Sequence, residues 1–150
     1  AARDPRIAVT LAHQSGTAGA ALHADGVGES IEAITARYPH WFSPRYADYA
    51  GRAGDLPIDQ HAVLALIAPR AVLLGGAWRD TWSDPAGAFR AAEAASEAWR
   101  FYDKPGLVQS RMADFQPSGG LANHIRPGLH GVTDSDWDAF LAFMDAHTAR

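Results

Sequence analysis

Apolar residues in this chain fall into short clusters separated by Gly- and Pro-rich polar stretches, and the spacing within each cluster predicts an element. Arg6 to Ala12 reads as a short β-prone segment running into the polar loop His13-Gln14-Ser15-Gly16. After Ser30, a helix N-cap, Ile31, Ile34 and Tyr38 recur at three- and four-residue intervals until Pro39 stops the pattern. His40 to Tyr49 concentrates aromatics, which predicts an irregular packed loop or short helix; its Trp41 and Phe42, with Trp78, Trp99 and Trp137, are assigned to the core or its margin. Ala62 to Ala68 predicts a buried helix capped by Asp59, and Pro69 separates it from the apolar run Ala71-Val72-Leu73-Leu74. That run predicts a strand ended by Gly75-Gly76. A polar turn carrying Asp80, Trp82 and Asp84 follows, and Pro85 opens a helix whose Phe89, Ala92, Ser96 and Trp99 share one face. Leu121 to Ile125 predicts a last strand, entering Arg126-Pro127-Gly128-Leu129-His130-Gly131. Thr133 then caps a final helix with Trp137, Phe140, Leu141 and Met144 as its apolar stripe.

Strand followed by helix, three times over, predicts an α/β protein with a largely parallel sheet covered on both faces. A length of 150 residues suits one domain, and no repeat or linker divides it. The formal net charge of -4 provides no basic face for nucleic acid and no charge run for a membrane surface. No apolar run is long enough to span a bilayer. With no cysteine, disulfides and thiolate metal sites are excluded, and none of the 7 histidines falls at a compact ligand spacing such as H-x-x-x-H.

Chemistry is expected where strands end. In a parallel sheet the loops at the carboxyl ends emerge at one edge, so Asp80 and His130, which follow the second and third strands, are expected to meet there. Asp84 is explained as the cap preceding a first-turn proline; Asp80 has no such explanation. His124 is an alternative imidazole, but it lies within a predicted strand, whereas His130 follows a Pro-Gly turn. An acid followed by a histidine is the order of the last two members of the α/β-hydrolase triad. The carboxylate holds the histidine in the tautomer that takes a proton from serine and stabilises the imidazolium that forms. No G-x-S-x-G elbow occurs, and Ser15, Ser30 and Ser118 lack that setting, so the chain is expected to begin after the nucleophile, before strand six of such a fold.

Seven segments carry a more specific resemblance: Gln14-Ser-Gly16, Gly28-Glu-Ser30, Tyr38-Pro-His-Trp-Phe42, Leu56-Pro-Ile-Asp-Gln-His61, Leu66-Ile-Ala-Pro-Arg70, Arg79-Asp-Thr-Trp-Ser-Asp-Pro85 and His124-Ile-Arg-Pro-Gly-Leu-His130. Together, and in this order, they resemble the carboxy-terminal half of a bacterial glucuronoyl esterase, also called 4-O-methyl-glucuronoyl methylesterase. The resemblance implies that residues 1–150 are part of an α/β-hydrolase domain, its last three parallel strands with flanking helices. It implies a serine esterase cleaving the ester between 4-O-methyl-glucuronic acid of xylan and a lignin alcohol, with no metal or organic cofactor. The implied partners are that glucuronoxylan-lignin ester and the upstream half of the same domain, in a protein secreted or exported to the periplasm.

Carried over residue by residue, the resemblance makes His130 the general base and then acid, and Asp80 the triad acid. Trp82 would line the sugar pocket, Glu29 would bond uronate hydroxyls, and Arg37 would be a further polar sugar contact. Each of the three has a purely structural explanation as well: a packed indole, an acid favouring a helix N-terminus, and a solvated helix arginine. One position departs from the family. Many members carry a glutamate just before the Ser-Gly of the first loop, and here Gln14 stands there. An amide carries no charge to stabilise imidazolium, so the acid's role falls to Asp80. Two alternatives stay open: a non-catalytic carbohydrate-binding or structural α/β module, and another α/β-hydrolase such as an acetyl esterase.

Overall fold

The computed structural model describes residues 1–148. Three strands, β1 (Val9–His13), β2 (Ala71–Ala77) and β3 (Leu121–Arg126), form one parallel sheet in the order β1-β2-β3. The chain passes from β1 to β2 through α1 (Ile31–Arg37), α2 (Pro44–Ala47) and α3 (Gln60–Ala65). It passes from β2 to β3 through α4 (Pro85–Arg100), and α5 (Asp134–Thr148) follows β3. Side chains alternate across the buried central strand. Val72 and Leu74 face one layer, packing with Leu64, Ala92, Ala95 and Trp99 of the α3 and α4 side. Ala71 and Leu73 face the other, packing with Phe140 and Phe143 of α5. The sheet is therefore covered on both faces, as the strand-helix alternation predicts. No described helix is long and apolar enough to cross a membrane.

The ends of the elements follow local chemistry. Ser30 caps α1, its hydroxyl accepting from the Ala33 N–H at 3.1 Å. Asp84 caps α4 from a left-handed backbone (φ 44°), its carboxylate accepting from the Gly87 N–H at 2.9 Å. Asp59 accepts from the Gln60 N–H at the start of α3 and also from the N–H groups of His23 and Ala24, so this cap ties two loops together.

Four expectations change. β2 does not end at Gly75-Gly76 but continues to Ala77, because both glycines are paired: Gly75 lies between His13 and His124, and Gly76 pairs with Ile125. Glycine is needed at 75, since a Cβ there would collide with the His13 ring. The helix expected to be buried over Ala62 to Ala68 is instead the short α3, with Leu64 buried and Leu66 66% exposed. A run of consecutive apolar residues wraps around a helix, so only part of it reaches the core. In α5 the inward face is Asp136, Ala139, Phe140 and Phe143, while Trp137 and Leu141 point outward. On that inward face Asp136 bonds Arg126 at the end of β3, and Phe140 and Phe143 pack on the sheet. Finally, Trp41, Trp78 and Trp137 are exposed rather than core; of the five tryptophans, only Trp99 is fully buried and Trp82 is also exposed.

Candidate active site

Two backbone hydrogen bonds join the loops leaving β2 and β3: Trp78 N–H donates to Arg126 C=O at 2.9 Å, and Arg79 N–H to Gly128 C=O at 3.0 Å. They carry the parallel pairing beyond the strands and bring together side chains 50 residues apart. Asp80 Oδ2 lies 2.8 Å from His130 Nδ1, the carboxylate being almost fully buried and the imidazole 66% exposed. This pairing leaves His130 Nε2 as the nitrogen available for chemistry. Ser83 Oγ, one turn beyond Asp80, stands 3.5 Å from the same Nδ1.

The pair opens onto a cleft of about 660 Å³. Its walls include Glu29, Arg37 and Trp82, together with Gln14, Tyr38 and Trp41. All five residues expected at a site therefore line one cavity, with Trp82 55% exposed. Glu29 is placed by its backbone: its N–H donates to Trp82 C=O at 3.0 Å and its C=O accepts from Thr17 Oγ1 at 2.6 Å. Gly28 makes this approach possible, since its φ is +80° and a Cβ would come within 2.9 Å of Trp82 O. Arg37 lies over the Tyr38 ring at 5.4 Å, and Tyr38 stacks on Trp41 with ring centroids 4.1 Å apart. A second cavity of about 320 Å³ lies beyond Glu29 and is bordered by His23 and Glu32.

Gln14 does not approach His130 as an acid would. Its Oε1 accepts from the Gly131 N–H at 2.8 Å, and its backbone is left-handed (φ 47°). Gly131 C=O faces His13 Nε2 at 3.0 Å and accepts from Arg126. Beneath it, Asp136 is fully buried and accepts from Arg126 Nε at 2.6 Å and from the Thr133 N–H at 2.8 Å. His124, weighed against His130 as the base, is turned instead towards Asp136, with Nε2 3.7 Å from Oδ1. Among the described residues no group of three His, Cys, Asp or Glu side chains is arranged to hold a metal ion.

Burial alone would raise the Asp136 carboxyl, but the hydrogen bonds from Arg126 and Thr133 outweigh it and hold the group below 3.8. Burial also works against Asp59, where the N–H groups of His23, Ala24 and Gln60 win and again lower it. Burial pulls both His23 and His124 below 6.5 despite a nearby carboxylate. Tyr46, whose hydroxyl meets His23 Nε2, is pushed up to about 12 by the same burial. Unfolding lets the two histidines bind protons that the folded state excludes, so folding stability declines as pH falls below 6.5. A second decline follows below 3.8, where Asp59 and Asp136 protonate. Melting temperatures measured from pH 8 down to about 5 should fall, and His124→Gln should flatten that fall.

Sequence reasoning missed Tyr38 and Trp41 as cleft walls, because aromatic content does not reveal which rings border a cavity. It also missed Arg126 and Asp136. A signal was present: Asp136 occupies the same helical phase as Ala139, Phe140 and Phe143, and an inward acid requires a buried cation.

Parallel strands, helices on both faces and a carboxylate–imidazole pair beyond the strands' carboxyl ends define the α/β-hydrolase class. The family described as "Glucuronyl esterase, fungi" matches residues 1–103, and the chain belongs to that family. It is 40% identical over 146 residues to Carbohydrate esterase MZ0003 of an unknown prokaryotic organism, covering 96% of this chain and 34% of that protein. It is 30% identical over 118 residues to 4-O-methyl-glucuronoyl methylesterase 1 of Wolfiporia cocos, covering 71% of this chain and 28% of that protein. Among solved structures, a promiscuous CE15 esterase from the marine bacterial metagenome superposes with TM-score 0.92 at 40% identity, over 97% of this chain and 37% of that one. A glucuronoyl esterase from Solibacter usitatus superposes with TM-score 0.87 at 37% identity, over 97% and 38%. The chain thus spans about a third of the length of these relatives.

Proposed function

We propose that this chain is the acid- and base-bearing part of a serine-type glucuronoyl esterase, the last three strands of its α/β-hydrolase domain. The observation that carries the reading is the 2.8 Å pair of buried Asp80 and exposed His130 at the mouth of the cleft. The names of its relatives support an ester of 4-O-methyl-glucuronic acid as the substrate; that this ester joins xylan to a lignin alcohol is part of the proposal.

In this reading Asp80 holds the Nδ1 proton of His130, so that Nε2 is free to take the proton of a serine hydroxyl on upstream sequence. The serine oxygen attacks the ester carbonyl. His130 returns the proton to the departing alcohol, and a water activated by the same nitrogen then releases the uronate. Glu29 accepts hydrogen bonds from sugar hydroxyls, Trp82 offers a flat wall to the ring, and Arg37 is a further polar contact at the rim. A polymeric substrate is met outside the cytoplasm, which supports secretion or periplasmic export of the full-length protein.

The test is hydrolysis of a benzyl ester of glucuronic acid. The full-length protein should turn it over, His130→Ala should reduce turnover by several powers of ten, and residues 1–150 alone should be inactive for want of an elbow serine. Undiminished turnover in His130→Ala would overturn the assignment. Uronate binding without any turnover by the full-length protein would favour a carbohydrate-binding module instead.

A further inference from the structure

The loop carrying His130 has little packing of its own. Pro127, Leu129, His130 and Val132 are all exposed, so their side chains contribute little to holding the imidazole in place. What anchors the loop lies beneath it. Arg126, at the end of β3, is 5% exposed, and its guanidinium turns back along the chain that follows. It donates to Pro127 C=O at 3.0 Å, to Leu129 C=O at 3.3 Å and to Gly131 C=O, while its Nε donates to Asp136 Oδ2 at 2.6 Å. One side chain thus holds carbonyls on both sides of His130 and fixes them to the first turn of α5. Gln14 and His13 hold Gly131 from the opposite side.

We infer that Arg126, oriented by Asp136, is a positioning residue that sets the approach of His130 to Asp80 and to the reacting atoms; the inference rests on the function proposed above. Guanidinium chemistry suits the role. Its planar fork offers five donors in fixed directions and spans three carbonyls, which an ammonium on a flexible stem does not. A cation buried this deeply is tolerated because its donors are used and its charge is matched by Asp136. General-base catalysis is sensitive to such support, since a displacement of about 1 Å at the reacting group costs about 10²-fold in rate.

The experiment compares Arg126→Lys and Asp136→Asn with the unsubstituted full-length protein on the benzyl ester, with rates expressed per folded molecule from circular dichroism. Both variants are expected to lose about 10²-fold in kcat with KM nearly unchanged. A second readout is the low-field Nδ1–H proton resonance of His130, identified by its absence in His130→Ala; it should broaden or vanish in both variants. A merely structural role would lower the folded fraction but leave kcat per folded molecule and the resonance intact, and that result would overturn the inference. A rise in KM alone would overturn it as well. Should Asp136→Asn fail to fold, Arg126→Lys keeps the charge beside Asp136 and decides the matter. If the unsubstituted protein hydrolyses no ester, the proposed function fails, while the resonance still reports whether Arg126 governs His130.

Discussion

Asp80→Asn in the full-length protein is expected to lower kcat on the benzyl glucuronate ester by about 10⁴ with little change in fold. The substitution preserves the shape of a buried side chain that sits 2.8 Å from His130 Nδ1. It removes the charge that stabilises imidazolium in the transition state, and the amide can offer a donor where Nδ1–H needs an acceptor, which favours the wrong tautomer. Among the described residues, Asp80 is the acid paired with His130. Gln14, which lines the same cleft, is neutral and already engaged with Gly131 N–H. Kinetics combined with circular dichroism check the prediction, and a folded Asp80→Asn protein of undiminished turnover would refute it.

Trp99→Ala should cost about 3–5 kcal/mol of folding stability while leaving the chemistry of the folded fraction unchanged. The indole is fully buried among Val72, Leu74, Ala95 and Leu121, between α4 and the sheet. Its Nε1–H donates to Arg70 C=O at 3.2 Å, so truncation leaves both a cavity and a carbonyl without its partner. Trp99 lies near the start of β2 and β3, at the end of the sheet opposite the cleft, so its loss should not move Asp80 or His130. Urea unfolding measures the first effect and kcat per folded molecule the second. A loss below about 1 kcal/mol would mean that the core repacks around the gap.

Asp84 was legible as a helix cap because capping is a relation within four residues, and it bonds Gly87 N–H as the pattern predicts. The meeting of Asp80 with His130 was legible because parallel topology places successive loops at one edge. The extent of β2 was not, because Gly75 is held in the strand between His13 and His124, and Gly76 by Ile125. Nor was the face of α5: its apolar residues occur nearly all round, and the inward face includes Asp136, whose partner Arg126 lies on another element.

The order of the elements, the caps at Ser30, Asp59 and Asp84 and the pairing of an acid with a histidine at the sheet edge were determined by the amino-acid sequence itself. These depend on neighbours along the chain and on the few topologies available to alternating strands and helices. Only the tertiary structure decided that half-buried Tyr38 and exposed Trp41 become cleft walls, that Gln14 braces the His130 loop, and that Arg126 lies beneath it. Those roles depend on which surfaces remain after packing, a property of the whole assembled chain that no local pattern encodes.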